Sequence, residues 1–417
     1  MDKKKRILLI GGNFSPELTG IGKYNGEMIN RFSSQGYHCT VITSYPYYPH
    51  WKVEAPYTNS SFWFKKEIKL KPNDIETGLI EIFRCPHYVP EKPTGTKRII
   101  SDFTFCFSAF IKIFQLLFTK KFEFVLVVAP PFQLGLLGIL YKKIKGAKFF
   151  YHIQDLQIDA ARDFKLINSE LIINMLLYVE KYILKKADLV SSISLGMIRK
   201  IEMKYPREVV FFPNWVDTNV FFPLAEKDKL KRDFGFESSD KIILYSGAIG
   251  EKQGLEAILQ SAKALEHRKG IKFVICGSGP YKEKLQELTE IQDINNVIFL
   301  PLQPFDKLNS FLNMADIHLV LQKINATDLV MPSKLTAILS IGGLAIITAN
   351  KGSSLYDVVS LHKMGILIEP ENPAGLIEAI NKALLNNDHL ITNNARMYAE
   401  QFLSIDEVFR EFSIHLS

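Results

Sequence analysis

Short apolar, β-branched runs alternate with helical patterns from one end of the chain to the other, and this constrains the fold more than any other feature. The runs are 6–12 (RILLIGG), 38–44, 80–86, 124–129 (FVLVVA), 148–153 (KFFYHI), 189–194, 209–214, 241–247 (KIILYSG), 272–277, 297–301, 317–322, 344–349 and 365–370. Such runs with helical segments between them predict parallel strands joined by crossover helices, an α/β architecture. Across 417 residues the pattern is long enough for two doubly wound domains. The segment FFPNWVDTNVFFP (211–223) reads as a hinge. It predicts a first domain over 1–210, a second over 211–395 and a final helix, 396–417, packed back on the first. Open α/β sheets bind ligands at the carboxyl ends of their strands, so two such domains face to face predict a cleft.

The net charge of +7 is unevenly divided. Residues 1–213 carry 31 Lys+Arg against 19 Asp+Glu, giving +12, whereas 214–417 carry 20 against 25, giving −5. A basic half predicts an anionic partner. No zinc finger, RNP motif or basic-region helix points to nucleic acid, so an anionic membrane surface is the better expectation. Residues 97–122 (KRIISDFTFCFSAFIKIFQLLFTKKF) support it. Ser101, Ser108, Lys112, Gln115 and Thr119 fall on one narrow stripe at helical spacing, the rest is Phe, Ile and Leu, and basic residues flank both ends. A helix buried in the first domain and an interfacial helix dipping into a bilayer both fit this pattern. The ILLI of the basic opening segment is too short for a signal peptide, and no apolar run reaches the length of a spanning helix. The four cysteines (Cys39, Cys85, Cys106, Cys276) are scattered without a CxxC pair. That predicts a reducing compartment and neither a disulfide framework nor a zinc site.

Five stretches carry candidate chemistry. GGNFSPELTGIGKYNGEM (11–28) follows the first strand and places Gly20 and Gly22 before a helix, though without the full GxGxxG spacing. YSGAIGEKQGLE (245–256) runs from strand through Gly247 to Lys252 and a helix, without the GxxxxGK[ST] of a P-loop. CGSGP (276–280) again ends a strand in glycines, with Gly277 first. YHIQDLQID (151–159) ends a strand with His152, Asp155 and Asp159. DLVMPSKLT (328–336) places Asp328 upstream of a proline-initiated helix whose first turn holds Ser333, Lys334, Leu335 and Thr336. Helix starts attract anions, glycines let backbone approach a ligand, and a lysine beside them meets a phosphate. Taken singly, turn chemistry, a surface lysine and a structural histidine explain each stretch equally well. No GxSxG, HExxH or DxD is present, so neither a serine nucleophile nor a bound metal is indicated.

Taken together and in order, SPELTGIGKYNGEM, YHIQDL, ADLVSSIS, PNWVDTNVF, SGAIGEKQGLE, CGSGP, ADIHLVL and PSKLTAILSIGG resemble the family 4 retaining glycosyltransferases, most closely the group that adds fucose or N-acetylfucosamine to colanic acid and O-antigens. The resemblance implies the GT-B fold of two Rossmann-like domains, the first binding acceptor and the second binding donor. It implies a nucleotide-diphosphate sugar as donor, UDP in preference to GDP, and no cofactor or metal. It implies an acceptor saccharide on a polyprenyl diphosphate at the inner face of the cytoplasmic membrane. Lys252 matches the family lysine on the donor diphosphate, His152 the histidine against the donor sugar, and Gly20 and Gly22 the loop that nears the diphosphate. The family's arginine partner position is Ala248 here, leaving Lys334 to supply charge. Trp215 replaces the glycine of Pro-Asn-Gly-Val-Asp, and the two glutamates of the E-x7-E motif are Asp328 and Thr336. The loss of both glutamates keeps open a non-catalytic nucleotide-sugar-binding subunit. A UDP-sugar epimerase or glucan synthase of the same fold is the other alternative.

Overall fold

The computed structural model describes residues 5–17, 20–48, 50–69, 78–119, 121–163, 167, 169–324, 332–386 and 388–416. They form two compact units, Met1–Phe212 and Pro213–Ser417.

In the first unit eight strands make one sheet: β1 (Arg6–Gly11), β2 (His38–Ser44), β3 (Lys65–Lys69), β4 (Ile80–Cys85), β5 (Phe124–Ala129), β6 (Lys148–Ile153), β7 (Leu189–Ser192) and β8 (Val210–Phe211), in spatial order 3-4-2-1-5-6-7-8. All neighbours are parallel except β3 and β4. The central strands are buried residue after residue, as in the fully covered β5, because helices lie on both faces. The order runs outward from β1 on one side and from β5 on the other. The carboxyl ends of those two strands therefore mark the switch point at which open sheets bind ligands.

β3 is the strand that periodicity misses. Its sequence, KKEIK, has one apolar residue, and it forms an antiparallel edge held by charge pairs. Lys66 meets Glu81 at 2.7 Å and the buried Arg84 meets Glu67 at 3.3 Å. Charged residues on an edge strand also discourage pairing with other chains. The run 209–214, expected to open the second half, instead closes the first sheet: β8 lies parallel to β7, and Phe212 N–H donates to Ser192 O at 2.9 Å.

The second unit holds six parallel strands, β9 (Lys241–Ser246), β10 (Ile271–Cys276), β11 (Val297–Leu300), β12 (Ile317–Val320), β13 (Ala345–Thr348) and β14 (Ile366–Ile368), in order 11-10-9-12-13-14. Here the switch point lies between the carboxyl ends of β9 and β12. The closing segment, expected on the first domain, is tied into this unit. Val216 and Ser404 form a parallel bridge, Trp215 packs edge-on against Phe409 with ring centroids 4.9 Å apart, and Arg396 donates to Phe221 O and Ser340 O. The expected hinge is thus anchored where it enters the second unit: the indole of Trp215, in place of a glycine, fills the seam against the last helix.

The helix Gly95–Leu117 is buried along one face and exposed along the other. Phe105, Ser108, Ala109 and Ile113 face the core, with Ser101 also buried. Phe103, Phe107, Phe114 and Phe118 are 69%, 66%, 52% and 76% exposed. Serines sit inside because Ser108 Oγ–H is satisfied by Phe105 O at 3.0 Å. Length and composition alone would let this helix cross a membrane, but its inner face belongs to the core of the first unit.

Candidate functional site

The second unit carries the denser constellation. After β9 the chain turns through Gly247 to Gly250 and enters a short 3-10 turn, Glu251–Gln253, that lifts Lys252 to the surface. The loop is fixed on all sides. Gly247 N–H donates to Cys276 O and Ile249 N–H to Ser278 O, both at 2.9 Å. Gly250 N–H donates to Gln253 Oε1 at 3.1 Å. Lys323 N–H, just beyond β12, donates to Lys252 O at 2.9 Å, so Lys252 stands at the switch point. Gly277 is a glycine of necessity: a Cβ there would come within 1.9 Å of Gly247 O.

Lys334, at the start of the helix Ser333–Ser340, reaches this loop. Its Nζ lies 3.6 Å from the centroid of the Tyr245 ring, on the face of the aromatic system. Nζ is buried and has no hydrogen-bond partner among the described residues. Burial holds the ammonium down, from 10.5 to about 7. The room for it exists because residue 247 has no side chain; a Cβ would stand 3.2 Å from both Cε and Nζ. Tyr245 Oη–H donates to Ala248 O at 2.6 Å, so one side chain supports both the loop and the lysine.

Of the other expected donor residues, Ser333 is exposed. Leu335 sends its side chain into the core and its N–H to Pro332 O at 2.9 Å. Thr336 is buried and bonds Ser333 O at 2.9 Å. Asp328 lies outside the described residues. The structure therefore brings Gly247, Gly277, Lys334 and the Lys252 turn together, with the Leu335 and Thr336 side chains turned inward.

In the first unit His152 is 1% exposed on β6. Its Nδ1 lies 3.0 Å from Ser191 Oγ, and its ring meets Phe212 edge-on at 5.1 Å. Burial pushes the imidazolium down to about 3, so the ring is neutral. Gly20 opens the helix Gly20–Ser34. Gly22 is packed against Glu17: a Cβ there would lie 2.6 Å from Glu17 Oε2. Asp159 does not join a catalytic cluster; it pairs with Lys204, which also meets the buried Glu180 at 2.6 Å.

Two groups escaped the sequence. Glu17, inside SPELTG, accepts the N–H groups of Tyr47 and Tyr48 at 3.0 Å each and Asn13 Nδ2–H at 3.0 Å. Burial nonetheless raises its carboxyl. Nearby, a hollow of about 380 Å³ is lined by Tyr45, Phe62, His87 and Tyr88. His87 Nε2 is buried there without a hydrogen-bond partner among the described residues, and burial lowers that ring to about 4. No motif spacing signals either group. Both arise from loop packing.

Residues 226–401 match the model of the family described as Glycosyl transferases group 1. The chain is 38% identical over 415 residues, 98% of each chain, to a protein of Escherichia coli (strain K12) described as a colanic acid biosynthesis glycosyl transferase, WcaI. Among solved structures it resembles the sucrose-phosphate synthase of Thermosynechococcus elongatus (TM-score 0.74, 14% identity, 99% of this chain and 98% of that one). It also resembles Anabaena HepE in complex with UDP (TM-score 0.70, 13% identity, 99% of each). At such identities the structural likeness speaks for the fold, which is GT-B.

Proposed function

The chain belongs to the group 1 glycosyl transferases of the GT-B fold, and on that premise we propose that it transfers a sugar from a nucleotide-diphosphate sugar to a polyprenyl-diphosphate-linked saccharide in surface-polysaccharide synthesis. The single observation that carries this reading is the buried Lys334 ammonium, without a hydrogen-bond partner among the described residues, beside the Gly247 loop at the switch point of the second sheet. An isolated buried cation is expensive unless a ligand completes it. A diphosphate would supply the missing negative charge.

Loss of the nucleotide from the sugar builds charge on the leaving phosphate. We assign Lys334 and Lys252 as the cations that stabilise it, and such preorganised charge is commonly the largest catalytic contribution. No metal enters this scheme. Transfer retains configuration, with the departing phosphate taking the acceptor's proton, so no protein nucleophile is needed. Asp328 orients the donor sugar, and Thr336 stands where relatives place the ribose contact. UDP is favoured over GDP, in keeping with the UDP complex of HepE. The relative WcaI is described by its role in colanic acid synthesis, and a fucose- or fucosamine-type donor fits that setting.

The acceptor lies at the inner face of the cytoplasmic membrane. The exposed phenylalanines of the helix Gly95–Leu117 would enter the interface while basic residues of the first unit meet anionic headgroups. Co-sedimentation with anionic vesicles should be strong at low salt and weaken as salt rises; binding indifferent to salt would refute the electrostatic part. The donor assignment is tested by a thermal-shift screen of nucleotide sugars, since a ligand of the folded state raises its melting temperature. A response to UDP-sugars, or to GDP-sugars, is expected. Silence across the panel would overturn the reading.

A further inference from the structure

We propose that Tyr245 is a positioning residue that holds the Lys334 side chain on its ring, so that arrival of a nucleotide diphosphate draws a proton onto Lys334. The inference rests on the donor reading above.

Three features of geometry support it. Nζ stands 3.6 Å from the ring centroid, where the negative face of the π-system attracts a cation. It is buried with no hydrogen-bond acceptor among the described residues, an arrangement that a bound anion would complete. Tyr245 is itself fully buried on β9 and bonds Ala248 O, so its ring cannot drift away from the loop it supports.

Among the described residues, the groups facing Lys334 leave its charge uncompensated. On β9 the facing titratable side chain is Tyr245, whose phenol burial pushes far up and keeps neutral. The loop 247–250 (GAIG) has no titratable side chain, and neither does the rest of the helix Ser333–Ser340 (SKLTAILS). Burial alone lowers the ammonium, to about 7. The free protein therefore loses this proton as pH rises through 7. A bound diphosphate restores it, so affinity falls with rising pH above that point.

The test is calorimetry of UDP binding to the full chain at pH 8, in two buffers of different ionisation enthalpy. At that pH the terminal phosphate, with a pKa of about 6, is already ionised. Wild type should take up about 0.9 proton per UDP bound. Tyr245→Phe, which keeps the ring, should still take up a proton, and Lys334→Met should take up essentially none. Tyr245→Leu should weaken UDP binding about tenfold. UDP binding without proton uptake, uptake that survives Lys334→Met, or unchanged affinity in a folded Tyr245→Leu would overturn the inference alone. If Tyr245→Leu does not fold, the Lys334→Met and Tyr245→Phe results decide. Failure of both UDP and GDP to bind wild type would remove the donor reading and this inference with it.

Discussion

Replacing Lys334 with methionine should make the protein more stable and less able to hold its donor. Burial lowers the ammonium from 10.5 to about 7. A lysine whose folded value lies below its unfolded value opposes folding. The penalty is full below about pH 6, close to full at pH 7, and fades as pH rises towards 10.5. By linkage it amounts to about 4 kcal/mol at pH 7. Methionine fills most of the same volume without charge. Water entering the loop would soften the penalty, so the expected gain is about 2 kcal/mol or more. For a unit of this size that is a rise in melting temperature of roughly 4 °C or more. Scanning fluorimetry on the full chain, with and without UDP, reads both effects. At a hundredfold excess over Kd, UDP should stabilise wild type by about 2.7 kcal/mol and the variant, at the same UDP concentration, by clearly less. The gap between the unliganded proteins should close as pH is raised from 7 to 10. A variant that melts no higher than wild type at pH 7, or that responds to UDP as wild type does, would refute the reasoning.

Other outcomes follow from the same structure. Lys252 is exposed, so Lys252→Ala should leave the melting temperature unchanged while lowering kcat/KM by about two to three orders of magnitude; near wild-type transfer would sink its role. Gly277→Ala forces a Cβ to within 1.9 Å of Gly247 O and should lower stability by about 3 kcal/mol or abolish UDP binding, as urea unfolding and calorimetry would read. Trp215→Gly empties the seam against Phe409, lowering stability by about 3–5 kcal/mol in denaturant titration. The double substitution Phe107→Ser and Phe114→Ser removes exposed rings, so it should weaken vesicle binding at least about tenfold with little change in melting temperature.

Most of the architecture was legible because buried parallel strands must be continuously apolar. Runs such as FVLVVA and KFFYHI coincide with β5 and β6 residue for residue. KKEIK escaped because an edge strand held by ion pairs has no hydrophobic period. The ties of the closing segment to the second unit were not legible because nothing in the sequence announces that Trp215 and Phe409 will meet. At the site, the glycine-rich strand ends and Lys334 could be singled out from the chain. Tyr245 could not, since an aromatic in a strand reads as core. Its phenolic bond to Ala248 and its contact with Lys334 exist only once β9 and the helix Ser333–Ser340 are folded together. Glu17 was hidden similarly: its partners are the backbone N–H groups of Tyr47 and Tyr48, some thirty residues away. The Ser101 and Ser108 stripe was legible as one face, but the spacing alone did not say that both serines would be buried. Their hydroxyls can satisfy themselves on the helix's own carbonyls, which lets the phenylalanines turn outward.

The central claim is retaining, metal-free transfer from a nucleotide-diphosphate sugar, and product analysis tests it most directly. The full chain is incubated with a panel of UDP- and GDP-sugars, a polyprenyl-diphosphate saccharide in anionic vesicles, and excess chelator. Released nucleotide is then quantified, and the anomeric configuration of the new linkage is read by NMR. The account predicts nucleotide release coupled one-to-one to glycoside formation, the donor's anomeric configuration preserved, and activity undiminished by the chelator. An inverted linkage, a chelator-dependent reaction, or binding without transfer across the panel would contradict it.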